Sequence, residues 1–290
     1  MLRTMETPID AGGSVLLRLN DASVVYPDGT VGLARTTTGL AAGAFCVLLG
    51  PSGAGKSTLL RSLNGLVPLS TGTVWAEGIG PLAGPADWRL HRRRTGMVFQ
   101  QHQLIGRLSV LRNVLTGRIA FSSTLRSLWP ASVADRRIAL HALDRVGLLD
   151  AALRRADQLS GGQQQRVGIA RALAQQPRML IADEPVASLD PATAARVLEL
   201  LRDICRDAGI AVVVSLHQVD LARRFADRVI GVSAGRIVFD GPPSALDERA
   251  LHAVYGPGLD AAIDPARTEP AASPFERPAC DDTGPLSVAA

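Results

Sequence analysis

An α/β fold built on a parallel sheet is what this sequence predicts, and three observations predict it. Short runs that are more uniformly apolar, Ala44 to Leu49, Met97 to Phe99, Met179 to Ala182 and Ala211 to Leu216, read as strands buried on both faces. A glycine-rich stretch follows the first run and leads straight into a helix-like run, Leu59 to Leu66. Between Gln101 and Gln158 the pattern turns helical, as in Ala134 to Leu149 with apolar Ile138, Ala139, Leu140, Ala142, Leu143 and Val146. That stretch predicts a helical subdomain inserted into the α/β core.

The first element is a strand from Val15 to Tyr26, rich in β-branched residues with partial alternation and closed by the turn Pro27-Asp28-Gly29. Thr71 to Trp75 and Arg236 to Phe239 are short strand candidates bounded by glycine, expected to join it in a small antiparallel sheet. Residues 1–14 are expected to be an N-terminal extension and 15–256 the folded domain, with its helical subdomain at about 101–158. From Tyr255 the composition shifts to Pro, Ala and Asp, and residues 257–290 are expected to be disordered.

The chemistry begins at Gly50-Pro51-Ser52-Gly53-Ala54-Gly55-Lys56-Ser57-Thr58, which fits the P-loop pattern G-x-x-x-x-G-K-[ST] in the strand–loop–helix setting that its mechanics require. Glycines allow the tight turn, and backbone N–H groups then converge on a phosphate at a helix N-terminus. Lys56 would reach the β/γ-phosphates, Ser57 would place its hydroxyl on Mg²⁺, and Thr58 would begin the helix and help hold the phosphate end. Further on, Met179 to Ala182 ends in Asp183-Glu184-Pro185, and ligands of open α/β sheets bind at the carboxyl ends of strands. Asp183 is therefore expected to hold Mg²⁺ and Glu184 to act as general base on the attacking water. Leu159-Ser160-Gly161-Gly162-Gln163 precedes a helix running to about Gln176, where Pro177 blocks continuation. This is either an ordinary N-cap or a second anion-binding helix start.

Composition bounds the remaining possibilities. At 47% hydrophobic residues the chain has material for a sizeable core, and no run of 18 or more apolar residues suggests a membrane span. Its start lacks the apolar stretch of a secretory signal, so a cytosolic location is expected. Cys46, Cys205 and Cys280 are too scattered for a disulfide framework or a metal-ligand spacing, and Cys46 reads as a small core residue. A net charge of +4 fits an ordinary basic globular protein, and His91-Arg92-Arg93-Arg94 reads as a solvated surface.

Taken together, these residues resemble the ATP-binding-cassette ATPases, whose P-loop core is a RecA-like parallel sheet. The resemblance covers residues 15–256. In that family Leu159 to Gln163 would be the signature motif, with Ser160, Gly161, Gly162 and Gln163 binding the γ-phosphate of ATP held by a partner subunit. It further implies that Tyr26 stacks on adenine and that Gln100 is a Mg²⁺ ligand with a part in catalysis, linking the nucleotide to the transmembrane partner. Ser188-Leu189-Asp190 would touch the other subunit, with Asp190 among the nucleotide contacts, and His217 would sense the γ-phosphate and take part in hydrolysis.

One P-loop and one signature make half of each of two sites, so a homodimer of ATPase subunits is expected. Leu108 to Arg118, Ser122 to Trp129, Ser215 to Arg224 and Val254-Tyr255-Gly256 resemble the phosphonate-importer ATPases. The resemblance implies permease subunits as partners, a periplasmic solute-binding protein indirectly, no nucleic acid, and a peripheral position on the cytoplasmic face of the inner membrane. A cassette for phosphite, phosphate or an amino acid would share every catalytic residue. A translation or DNA-repair cassette would show two cassettes or a coiled-coil insertion, and a P-loop switch or kinase would lack the Leu159 to Gln163 stretch.

Overall fold

A computed structural model describes residues 14–100, 103–121 and 131–256. The expected N-terminal extension and tail, and the Ser122 to Trp129 resemblance, fall almost wholly outside these residues. In chain order the elements are β1 (Val15–Val25), β2 (Val31–Ala41), β3 (Phe45–Leu49), α1 (Lys56–Leu63), β4 (Thr71–Ala76), β5 (Gly80–Pro81), α2 (Pro85–Arg94), β6 (Thr95–Val98), α3 (Val110–Leu115), α4 (Val133–Arg145), α5 (Gly161–Leu173), β7 (Met179–Ala182), α6 (Pro191–Ala208), β8 (Ala211–Leu216), α7 (Val219–Phe225), β9 (Arg228–Ser233), β10 (Arg236–Gly241) and α8 (Glu248–Tyr255).

The strands form two sheets. A six-stranded sheet runs β10-β9-β3-β8-β7-β6, with β9, β3, β8, β7 and β6 mutually parallel and β10 antiparallel at the edge. A four-stranded antiparallel sheet runs β2-β1-β4-β5. Strand alternation divides the core. From β3, Phe45, Val47 and Leu49 face the helices α3 to α8, while Cys46 and Leu48 face α1 and the antiparallel sheet. Both faces are covered, which is why the parallel strands are mostly apolar.

Two local expectations are corrected. Arg236 to Phe239 lies in β10 and pairs with β9 in the six-stranded sheet, not with β1 in the antiparallel one. Ala234 and Gly235 have φ of 46° and 74°, the double positive of a two-residue hairpin turn, and such a turn forces consecutive strands to pair. His91 is buried in α2: its Nε2 lies 2.9 Å from the Leu63 carbonyl, its ring is edge-on to Trp88, and burial lowers its pKa. Arg93 is also engaged, donating to the Ala120 carbonyl at 2.8 Å and lying over the Phe121 ring. Of that basic run only Arg92 is a plainly exposed side chain.

Helix starts follow capping chemistry. Ser109, Ser132, Ser160, Asp190 and Asp247 each accept from the third residue of the helix they open. At α5 the cap is reciprocal, because Gln163 Oε1 accepts the Ser160 N–H at 3.0 Å. By contrast α1 opens on Gly55 with no side-chain cap.

Candidate functional site

The carboxyl ends of β3, β7 and β8 converge on the loop before α1. Gly50 leaves β3 against the Val232 carbonyl, where a Cβ would collide with backbone, and Gly55 has φ +103° with space for a Cβ closed by the Gly32 carbonyl at 2.6 Å. Only glycine fits either place. Lys56 is 3% exposed and its Nζ donates to the carbonyls of Gly50 at 2.7 Å and Pro51 at 2.8 Å. Burial lowers its pKa, opposed by the nearby Glu184 and Asp183 carboxylates. The ammonium is thus curled beneath the loop, next to the uncapped amide end of α1.

Asp183 follows β7 and is 2% exposed. Its Oδ1 accepts from Ser57 Oγ at 2.8 Å and Ser215 Oγ at 3.2 Å, and its Oδ2 from Arg61 at 3.3 Å. Glu184 has φ +47°, an uncommon conformation for a non-glycine residue, and its N–H donates to Ser215 Oγ at 2.8 Å. Its carboxylate accepts from His217 Nε2 at 2.5 Å. The other ring nitrogen, Nδ1, lies 3.2 Å from the Gly50 carbonyl and 3.4 Å from Lys56 Nζ. A strained backbone that aims a carboxylate at a histidine beside a lysine is the kind of distortion that functional sites retain.

Tyr26 stands at the same mouth, its hydroxyl 2.9 Å from Thr58 Oγ1 and its ring over Gly32. Gln100 lies past the end of β6, exposed, and among the described residues makes no hydrogen bond to Ser57 or Asp183. Ser160, Gly161, Gly162, Gln163 and Asp190 gather elsewhere. With Thr193 they line a cavity of about 600 Å³ to which no residue of the Gly50–Thr58 loop contributes. The structure therefore brings the expected residues together as two groups, not one.

Two residues of the first group carry little signal in the sequence. Ser215 links Asp183 to the Glu184 backbone, and its only mark is a hydroxyl inside an otherwise apolar strand. Arg61 sits one turn into α1 and reads as a surface residue until the fold sets it against Asp183.

A parallel sheet presenting a glycine loop, a buried lysine and a strand-end Asp-Glu pair defines a P-loop nucleoside triphosphatase. The family model for ABC transporter matches residues 33–187. The phosphonates import ATP-binding protein PhnC 3 of a Nostoc strain is 56% identical over 242 residues, covering 83% of this chain and 92% of that protein. The phosphite import ATP-binding protein PxtA of Stutzerimonas stutzeri is 58% identical over 263 residues, covering 91% and 93%. Among solved structures, cbiO1 of Clostridium perfringens, part of the ABC transporter complex cbiONQ, superposes with a TM-score of 0.71 at 28% identity over 82% of this chain and 93% of that one. A dimeric ATP-binding cassette in a post-hydrolysis state bound to ADP and Pi superposes with a TM-score of 0.68 at 32% identity over 79% and 99%. The chain belongs to the ABC transporter family as an ATP-binding, ATP-hydrolysing subunit. Among the described residues no helix is long and apolar enough to cross a membrane.

Proposed function

We propose that this ATPase drives import of phosphonate through a membrane permease, working as a pair of copies on the cytoplasmic face of the inner membrane. The observation that carries the chemistry is the contact between Glu184 and His217, set beside Lys56 and one residue from Asp183. In this reading the loop amides and Lys56 bind the β/γ-phosphates, and Tyr26 meets the adenine. Glu184 takes the proton from the attacking water, and His217 holds the Glu184 carboxylate and faces the γ-phosphate.

Ser57 Oγ and Asp183 Oδ1, 2.8 Å apart, are hard oxygen donors of the type that Mg²⁺ accepts, and so few protein ligands suit an ion that keeps waters and substrate phosphates. Ser57 and Asp183 would hold it, with the Gln100 amide a third donor supported by the family resemblance alone. Mg²⁺, when bound, neutralises charge building on the phosphate oxygens. The second group, Ser160 to Gln163 with Asp190, is proposed to close over the nucleotide of another copy. Its separation from the phosphate loop supports this, as does the dimer found for the related cassette.

Phosphite is the alternative solute, favoured by the 58% identity to a phosphite import protein. The test is reconstitution of the full chain with its permease and solute-binding protein in vesicles, followed by ATPase measurement. Phosphonate is expected to stimulate turnover. Stimulation by phosphite with none by phosphonate would transfer the assignment to phosphite.

A further inference from the structure

The last helix brings a side chain to the site that the hydrolytic roles above do not use. Tyr255, at the end of α8, is buried, and its hydroxyl donates to the His217 carbonyl at 2.8 Å. Gly50 and His217 are the residues immediately beyond β3 and β8, which pair in register through Leu49 and Leu216. Here the two strands part so that one can turn into the phosphate loop, and the phenol meets the His217 carbonyl just past the last paired rung. Burial pushes its pKa well above the usual tyrosine range, so it stays a neutral hydroxyl, able to donate and accept at once. The helix that carries it has little freedom. It packs on β9 and β10, and Val254 fills the space over Gly231 that a side chain there would need.

We infer that Tyr255 is a positioning residue for ATP hydrolysis: its hydroxyl holds the His217 backbone carbonyl and thereby sets where the imidazole meets Glu184 and the Gly50 carbonyl. The inference rests on the proposed role of His217 in the hydrolytic step. The imidazole has two short contacts to satisfy, Glu184 Oε1 at 2.5 Å and the Gly50 carbonyl at 3.2 Å, and both depend on where its own backbone stands relative to Gly50. Removing the hydroxyl leaves the His217 carbonyl without its described donor at the one point where the sheet no longer holds it. Reacting geometry tolerates little displacement.

The experiment uses the full chain with Tyr255→Phe, which keeps the buried ring and loses only the hydroxyl. Ring ¹⁵N signals of the 5 histidines are recorded, with His217 assigned by its loss in His217→Ala. The His217 ring shifts are expected to move in Tyr255→Phe. Turnover should fall by about 10-fold with KM for ATP held within about twofold. In a His217→Ala background the same substitution should cost less than about twofold, because a residue acting through His217 has nothing left to position. An unmoved His217 signal, or an equal loss of turnover in both backgrounds, overturns the role of Tyr255 alone. Parental turnover in His217→Ala overturns the role of His217 and the inference with it.

Discussion

The phosphate-loop group and the signature group are both built at the start of a helix, yet they are finished differently. At α1 no side chain caps the first turn, and the charges around it, Lys56, Asp183 and Glu184, are mostly withdrawn from water and tied to serine, histidine and backbone. At α5 the first turn is closed on itself, since Ser160 and Gln163 satisfy one another's backbone amides and the glycines between them are left on an open cavity. The first arrangement sets uncapped amide donors beside a lysine and two carboxylates, the set that binding and cleaving a phosphate anhydride calls for. The second sets capped glycines on a cavity apart from those charges. In the proposed reading one chain therefore holds a nucleotide at the first group and offers the second to the nucleotide of another copy.

Substitutions can break or sharpen that contrast. The largest effect is expected from Glu184→Gln, which preserves shape and hydrogen-bonding reach while removing the basic carboxylate. Turnover should fall by about 10² to 10⁴-fold with ATP affinity retained, the usual contribution of a general base. The same variant should associate into a dimer with ATP and Mg²⁺ in the ultracentrifuge. Near-parental hydrolysis would make Glu184 a structural cap and leave His217 as the next candidate for the base.

Lys56→Ala comes next. A charge-assisted hydrogen bond to phosphate contributes about 1.5–3 kcal/mol, so ATP affinity should drop by roughly 10 to 150-fold, with hydrolysis lost as well. Equilibrium titration with ATP measures it, and unchanged affinity would remove Lys56 from the phosphate site. The smallest effect is expected at the other group. Ser160→Ala removes one helix cap, worth about 1 kcal/mol in denaturant unfolding. ATP affinity of the single chain should be untouched even as turnover falls. Weakened nucleotide binding by the isolated variant would mean that the two groups are not independent within one chain.

Much of the fold and of the site is legible in the residues alone. The apolar runs at Phe45–Leu49, Met179–Ala182 and Ala211–Leu216 read as strands covered on both faces, because each is short, bounded by turn residues and almost without a polar side to turn toward water. The glycine loop declares its turn through residues that tolerate what others cannot. The placement of Arg236 to Phe239 is harder to read even though the Ala234-Gly235 turn is local, because the strand's own pattern does not reveal its neighbour. His91 misleads for the opposite reason: a histidine beside three arginines looks solvated until α2 is docked and its ring meets the Leu63 carbonyl.

By itself the sequence determined which apolar runs are buried strands, where the phosphate loop turns, and which carboxylates end β7, since each depends on residues adjacent along the chain, whereas strands Val31–Ala41 and Arg228–Ser233 emerge only in the fold. Only the tertiary structure decided that Ser215 joins Asp183 to Glu184, that His217 reaches both Glu184 and Gly50, and that Tyr255 of α8 meets the His217 carbonyl. Those contacts span 31 to 167 positions of chain within a few ångströms of space, as in the Ser215–Glu184 and His217–Gly50 pairs. No periodicity or motif encodes a hydrogen bond between strands. It exists because parallel pairing sets neighbouring strand ends side by side, and that pairing is settled by packing of the whole sheet.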